Sequence, residues 1–185
     1  GTLLAWVKIP SLFTNTNNSI YIYYANYNTN NQEDKVNLWD INFDGVYHFN
    51  GLNDSTSNNN TGVLVGTPVL LAAGGINGSS AYKMNDTTGQ NNRVNVNNVQ
   101  LSGERTISLW INPVYGEDGH AYISMFNYYI GSDQLMFIDQ SDISGYYCNV
   151  GGTGQNAYLN KNFTGGSWYY LTIKIDYANN ISWYW

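Results

Sequence analysis

The stretch Thr106-Ile107-Ser108-Leu109-Trp110-Ile111-Asn112 decides the fold. Ile107, Leu109 and Ile111 alternate with Thr106, Ser108, Trp110 and Asn112. Successive strand side chains point to opposite faces. The segment therefore predicts a strand with one aliphatic face toward a core and one face of hydroxyl, amide and indole groups. The same alternation recurs on either side. It predicts strands at Val7 to Ile9, Ile20 to Tyr24, Val46 to Phe49 and Ala81 to Met84. Further along, it predicts strands at Ala121 to Phe126, Leu135 to Ile138, Tyr169 to Ile175 and Ile181 to Trp185. Between them, Asn50-Gly51, Gly74-Gly75, Asn77-Gly78, Gly151-Gly152 and Gly165-Gly166 supply turn positions that need positive φ. No apolar pattern of helical period is sustained. Many short strands with such turns predict an all-β protein, an antiparallel two-sheet sandwich of the jelly-roll type.

At 185 residues the chain suits one domain, or one domain with part of another. Hydrophobic residues make up 43%, enough for a core, whereas charged residues make up only 11%. With 7 Lys+Arg against 13 Asp+Glu, the net charge is −6. Nucleic acid and anionic membranes need clustered positive charge, so both are poor partners. No apolar run approaches the roughly 18 residues of a membrane span, and Leu3 to Val7 is too short for a signal peptide. Asn (29 residues) and Tyr (17) take the place of charge on the surface. That style is commoner in secreted and cell-surface β proteins, so an extracellular or surface location is expected. Cys148 is the sole cysteine, which excludes an internal disulfide; a small buried strand residue is expected there.

Three polar stretches stand apart. Thr14 to Asn18 and Thr29 to Asp34 flank one expected strand, and Asn53 to Gly62 forms a long loop after another. A loop of that length is either mobile or tied down by a ligand. At the far end, Ile181-Ser182-Trp183-Tyr184-Trp185 reads as an apolar strand with no polar tail. Its backbone is expected either to continue into strands beyond this sequence or to be completed by a partner chain.

From Gly45 onward the sequence resembles the laminin-G-like, concanavalin A-like jelly-roll domains of prokaryotic surface proteins. Gly45-Val46-Tyr47-His48-Phe49-Asn50 carries the resemblance first, followed by Asn53-Asp54-Ser55 and an Asn-rich run into Gly62 and Gly66. The second block is Arg105 to Pro113; the third is Gly166-Ser167-Trp168-Tyr169-Tyr170 running to Asp176. Residues 1–43 resemble the C-terminal part of an uncharacterised β module that often precedes such domains. The resemblance implies residues 44–185 to be a jelly roll lacking its last strands, within a larger extracellular protein.

Catalysis finds little support. Hydrolases of that fold use carboxylates spaced as Glu-x-Asp-x-x-Glu on one strand, and a retaining pair must lie about 5–5.5 Å apart. Glu33, Glu104 and Glu117 are the only glutamates, and none has that neighbourhood. His48 and His120 sit in no metal-binding spacing, and His48 reads as a hydrogen-bonded structural residue facing away from Tyr47 and Phe49. No Gly-x-Ser-x-Gly elbow or phosphate loop occurs. A non-enzymatic role is expected.

Calcium is the more plausible ion, because it accepts irregular sets of carboxylate and amide oxygens. Asp54, Asn58 and Asn60 are the candidate ligands for a structural Ca2+, and related jelly rolls often hold calcium near such a loop. The alternative is a solvated turn in which Asp54 bonds backbone amides. For ligand binding, Trp110, Asn112, Trp168 and Tyr170 are the candidates. Sugar C–H faces stack on aromatic rings while the hydroxyls take hydrogen bonds. The alternative is that these aromatics pack under a loop or a neighbouring module. Asn-x-Ser/Thr triplets at Asn17, Asn53, Asn59, Asn77, Asn85, Asn162 and Asn180 are candidate glycosylation sites, though the Asn richness explains most of them.

These features favour a non-catalytic extracellular adhesion or glycan-binding domain, with a glycan or surface protein as partner. The alternative is a structural subunit of an extracellular filament, fibre or virion surface that self-assembles through residues 181–185.

Overall fold

A computed structural model describes residues 5–84, 92–96, 104–113, 120–121, 127–128, 133–134, 137–139, 146–147, 164–176 and 180–184. The chain forms two compact units, Gly1–Gln100 and Leu101–Trp185. The expected boundary at residue 43 lies inside the first.

The first unit opens with a long stretch that makes no ladder among the described residues. Val7 to Ile9 and Ile20 to Tyr24 are expected strands that do not form, and their side chains are exposed. Alternation prepares an extended backbone, but a strand exists only when a neighbour takes its N–H and C=O groups. Pro10 also removes a donor at the end of the first segment. One turn of helix follows, α1 (Lys35–Leu38). Asp34 caps it, accepting from the Asn37 amide at 3.2 Å. Lys8 Nζ donates to the Asn37 carbonyl at 2.9 Å, which ties the opening stretch to this turn's last residues. The Lys35–Glu33 ion pair beside it is exposed and contributes little.

Two antiparallel strand pairs complete the first unit. β1 (Gly62–Val65) runs antiparallel to β4 (Arg93–Val96), and β2 (Val69–Leu71) runs antiparallel to β3 (Ala81–Lys83). Gly66 leaves β1 at φ +76°, and a Cβ there would collide with the Asn92 side chain. That side chain accepts from the Thr67 amide at 2.6 Å, so the turn and the start of β4 are fastened together.

The second unit holds the expected decisive strand, β5 (Arg105–Ile111). Short strands β6 (His120–Ala121), β7 (Asn127–Tyr128), β8 (Asp133–Gln134), β9 (Phe137–Asp139) and β10 (Tyr146–Tyr147) follow. The unit closes with β11 (Tyr169–Asp176) and β12 (Asn180–Tyr184). Strand order is β12-β11-β5 in one sheet and β10-β9-β6 in another, with β7 paired to β8. Every pairing is antiparallel. The protein is thus mostly β, built of small antiparallel sheets. The expected strands at Ala121 to Phe126 and Leu135 to Ile138 fall partly outside the described residues, as does Cys148 entirely.

The alternation read from the sequence of β5 holds in three dimensions. Ile107 and Leu109 are half-buried and Ile111 is buried, whereas Thr106, Ser108 and Trp110 are exposed. On β11, Leu171 is 1% exposed and sits directly opposite Leu109. Leu171 and Ile111 are the buried hydrophobic residues among those described. Burying a leucine side chain contributes about 1.5–3 kcal/mol, so this aliphatic seam fixes the register of β5 against β11.

Candidate functional site

The exposed side of the β5–β11 pair brings two of the four candidate ligand residues together. Trp110 and Tyr170 are directly opposed in the ladder. Their ring centroids lie 5.1 Å apart with planes tilted by 49°. Each residue is 47% exposed. Opposed aromatics of this kind contribute about 0.5–1.5 kcal/mol beyond area burial, so the pair holds its own geometry while its outer surfaces remain open. The next opposed pair on the same face is Ser108 and Thr172, whose hydroxyls are hydrogen-bonded at 3.0 Å. Thr106 and Lys174, both exposed, form the third. The face thus runs from an aromatic pair through a hydroxyl pair to a threonine and an amine.

The other two candidates sit elsewhere. Asn112 follows β5, and its Nδ2 donates to the Gly166 carbonyl at 3.3 Å. Its Oδ1 is buried and has no hydrogen-bond partner among the described residues. Together with the bond from the Gly166 amide to the Pro113 carbonyl (2.8 Å), this makes Asn112 a fastener of the Gly165-Gly166 turn. Trp168 lies just before β11 and is half-buried. It is not part of the exposed aromatic pair.

In the first unit, the loop around Asp54 is a clasp. Asp54 is 8% exposed and Thr56 is 5% exposed. Asp54 Oδ1 accepts from the Val46 amide at 3.0 Å and the Thr56 amide at 2.9 Å. Its Oδ2 accepts from the Thr56 hydroxyl at 2.8 Å and the Asn60 amide at 3.0 Å. The Ser55 amide donates in turn to the Val46 carbonyl at 2.9 Å. Val46 to Phe49, expected as a strand, therefore does not form one. A carboxylate takes the Val46 amide in place of a backbone carbonyl, and Phe49 turns away at φ +54°. The Tyr47 hydroxyl donates to the Asn60 carbonyl at 2.5 Å and closes the other side of the loop. A Cβ at Gly45 would meet the Tyr47 ring at 2.8 Å, so only glycine lets that ring lie where it does.

Burial works to raise the Asp54 carboxyl, but its hydrogen bonds to Val46, Thr56 and Asn60 outweigh it and hold the group below its ordinary value. Tyr47 is pushed up to about 12 by burial and by the neighbouring Asp54 charge.

This loop contains the three candidate calcium ligands. Both Asp54 oxygens are already committed to four donors. Asn58 Nδ2 donates to the Phe43 and Asp44 carbonyls at 3.0 and 3.2 Å, and Asn60 Nδ2 donates to the Asp44 carbonyl at 3.0 Å. A cation needs lone pairs aimed at it, whereas these side chains aim N–H groups at the carbonyls. As placed, the donor set does not fit calcium. Among the described residues, no three His, Cys, Asp or Glu side chains gather into a metal site. Adding excess chelator is expected to leave Tm unchanged. A calcium-dependent rise in Tm, reversed by chelator, would show instead that the Asn58 and Asn60 amides turn their oxygens inward to bind the ion.

Near this clasp is a cluster the sequence did not reveal. His48 stacks on Trp6 at 5.7 Å and lies 6.2 Å from Trp39. Trp6 and Trp39 are 5.6 Å apart, and Phe43 lies 5.0 Å from Trp39. Burial, and secondarily the Lys35 charge, lowers the His48 pKa. The expected hydrogen-bonded structural histidine is thus packed within aromatic rings. Tyr47 and Phe49 stack on each other at 6.4 Å, apart from this cluster. No sequence signal links positions as distant as 6, 39 and 48. The Asp54–Thr56 turn did carry one: Asp-x-Thr is a turn in which both side chains bond local amides.

Of the candidate glycosylation sites, Asn17, Asn53, Asn59 and Asn77 are exposed. Asn180 opens β12, and Asn85 and Asn162 lie outside the described residues. No helix among the described residues is long and apolar enough to cross a membrane.

Residues 1–62 match a domain of unknown function, DUF2341. The match covers the opening stretch, α1 and the Asp54 clasp, and it runs past the boundary expected at residue 43. No curated protein and no solved structure matches the chain.

Proposed function

We propose that the chain is a non-catalytic extracellular binding or adhesion module, and that the exposed face of β5 and β11 holds a glycan. The observation that carries this reading is the Trp110–Tyr170 pair: two large rings, each 47% exposed, on the opposite side of the sheet from buried Leu171. Large aromatics usually fill cores. Here the aliphatic face already provides the core, so the rings are left facing outward, beside hydroxyls that can bond a sugar. The laminin-G-like resemblance of residues 44–185 supports the same reading, including a jelly-roll architecture and a surface location, and none of Glu33, Glu104 and Glu117 has the spacing of a catalytic carboxylate pair. A polyanionic partner is disfavoured by the net charge of −6.

A glycan array probed with the chain tests this. Binding is expected, and Trp110→Ala is expected to weaken it by about tenfold, roughly 1.4 kcal/mol. Binding that is indifferent to Trp110 would refute the assignment of the site.

One observation favours the structural alternative. β12 lies at the edge of its sheet among the described strands, paired to β11 alone. An edge of this kind can accept a strand from a neighbour. Polymers whose subunit contact includes residues 181–185 would support that reading over the first.

A further inference from the structure

We infer that the site takes a single, free glycan chain lying along the strands, rather than the flat face of a crystalline polysaccharide. This rests on the proposed glycan reading and specifies the physical form of its ligand. Three observations carry it.

The first is the tilt of the rings. A crystalline face is planar, so the aromatic groups that bind it must present their faces in one plane. Trp110 and Tyr170 are tilted by 49° with centroids 5.1 Å apart. When one ring lies flat on a planar surface, the other can touch it only by an edge. A single sugar unit fits this angle better: one ring takes its C–H face and the other its flank.

The second is the hydroxyl pair beside the rings. The Ser108 and Thr172 hydroxyls are bonded to each other at 3.0 Å, which uses one hydrogen and one lone pair. The remaining hydroxyl hydrogen and lone pairs are available to a ligand. They are directional groups that need unpaired sugar hydroxyls. In a crystal those hydroxyls are bonded to neighbouring chains, whereas on a free chain they are exchanged with water.

The third is direction. The pairs Trp110–Tyr170, Ser108–Thr172 and Thr106–Lys174 share one exposed face in register. At about 3.4 Å per residue, Trp110 and Thr106 are roughly 14 Å apart along the strand. The polar positions of this strand pair therefore form a row along the strands, the direction in which an extended oligosaccharide would lie.

The test uses the full chain on two kinds of probe. One is an array of soluble oligosaccharides; the other is washed powder of crystalline cellulose and of crystalline chitin. The inference expects binding to at least one soluble oligosaccharide and no retention on either powder. Trp110→Ala and Tyr170→Ala are each expected to weaken the binding about tenfold, and Ser108→Ala more modestly. Tyr170→Ala acts from the other strand, so it guards against misfolding of one variant, and thermal unfolding of each variant confirms the fold. Retention on a powder that is lost in Trp110→Ala would overturn the free-chain inference and leave the glycan site standing. Absence of binding to every probe would overturn both.

Discussion

Replacing Asp54 by Ala is expected to destabilise the first unit by roughly 3–5 kcal/mol, the largest loss expected from a single polar substitution among the described residues. The carboxylate accepts four hydrogen bonds from Val46, Thr56 and Asn60, and it is 8% exposed. Alanine removes every acceptor at once and leaves three backbone amides and one hydroxyl with little water to replace them. Hydrogen bonds to a charged group contribute about 1.5–3 kcal/mol each, but members of one network do not add. For a unit of about 100 residues, each kcal/mol lowers Tm by about 4–8 °C, so thermal unfolding resolves the effect easily. Asp40→Ala is the comparison. Asp40 is exposed, and its carboxylate accepts from the nearby Asn42 amide at 2.9 Å. Its loss is expected to be under about 1 kcal/mol.

The same carboxylate sets an acid dependence. Its folded pKa lies below the ordinary 3.8. The unfolded chain therefore takes up the proton first as pH falls. The stabilisation is complete above the unfolded value and is lost as pH drops through the lower folded value. His48 acts in the same direction at higher pH. Its folded pKa is also depressed, so its contribution is full above 6.5 and declines as pH falls below that. The gap in stability between wild type and Asp54→Ala should therefore narrow below about pH 4. Acid unfolding curves that run parallel for the two proteins would contradict the clasp.

Leu171→Ala is expected to cost about 2–5 kcal/mol in the second unit, the range for emptying a packed leucine site. Leu171 is 1% exposed, stands opposite Leu109, and lies on the interior face with Ile111. Its chain neighbour Tyr170 points the other way. Tyr170→Ala removes a larger side chain from a residue that is 47% exposed. Its cost is expected to stay near the 0.5–1.5 kcal/mol of the lost ring pair. The contrast is diagnostic, because a register slip of one residue would exchange the two faces. Equal destabilisation by both variants would mean that the assignment of inner and outer faces is wrong. The ligand experiment should reverse the order, with Tyr170→Ala the more damaging to binding.

Much of the second unit was legible in its residues. The alternation in Thr106 to Asn112 and in Tyr169 to Ile175 predicted two strands, and both form. It also predicted which side chains of β5 face inward, because the two-residue period of a strand is a local property of the backbone. Trp110 and Tyr170 could be named as outward aromatics on that ground. Their pairing could not, because it depends on register between strands that lie far apart in the chain.

The first unit shows the opposite case. Val7 to Ile9, Ile20 to Tyr24 and Val46 to Phe49 carry equally good alternation, yet none forms a ladder among the described residues. Asp54 was legible as a candidate for either a cation or an amide cap. Only the positions of Val46, Thr56 and Asn60 around it favour the cap.

By itself, the order of residues determined local extension, the placement of turns, and which side of β5 is greasy. Each of these follows from the geometry of a few adjacent peptide units. Tertiary structure alone decided which extended segments found a hydrogen-bonding neighbour, that a carboxylate would stand in for one, and that two rings would meet at an angle on an open face. Those outcomes depend on groups far apart in the chain, and they are settled by which contacts repay the entropy of bringing the segments together.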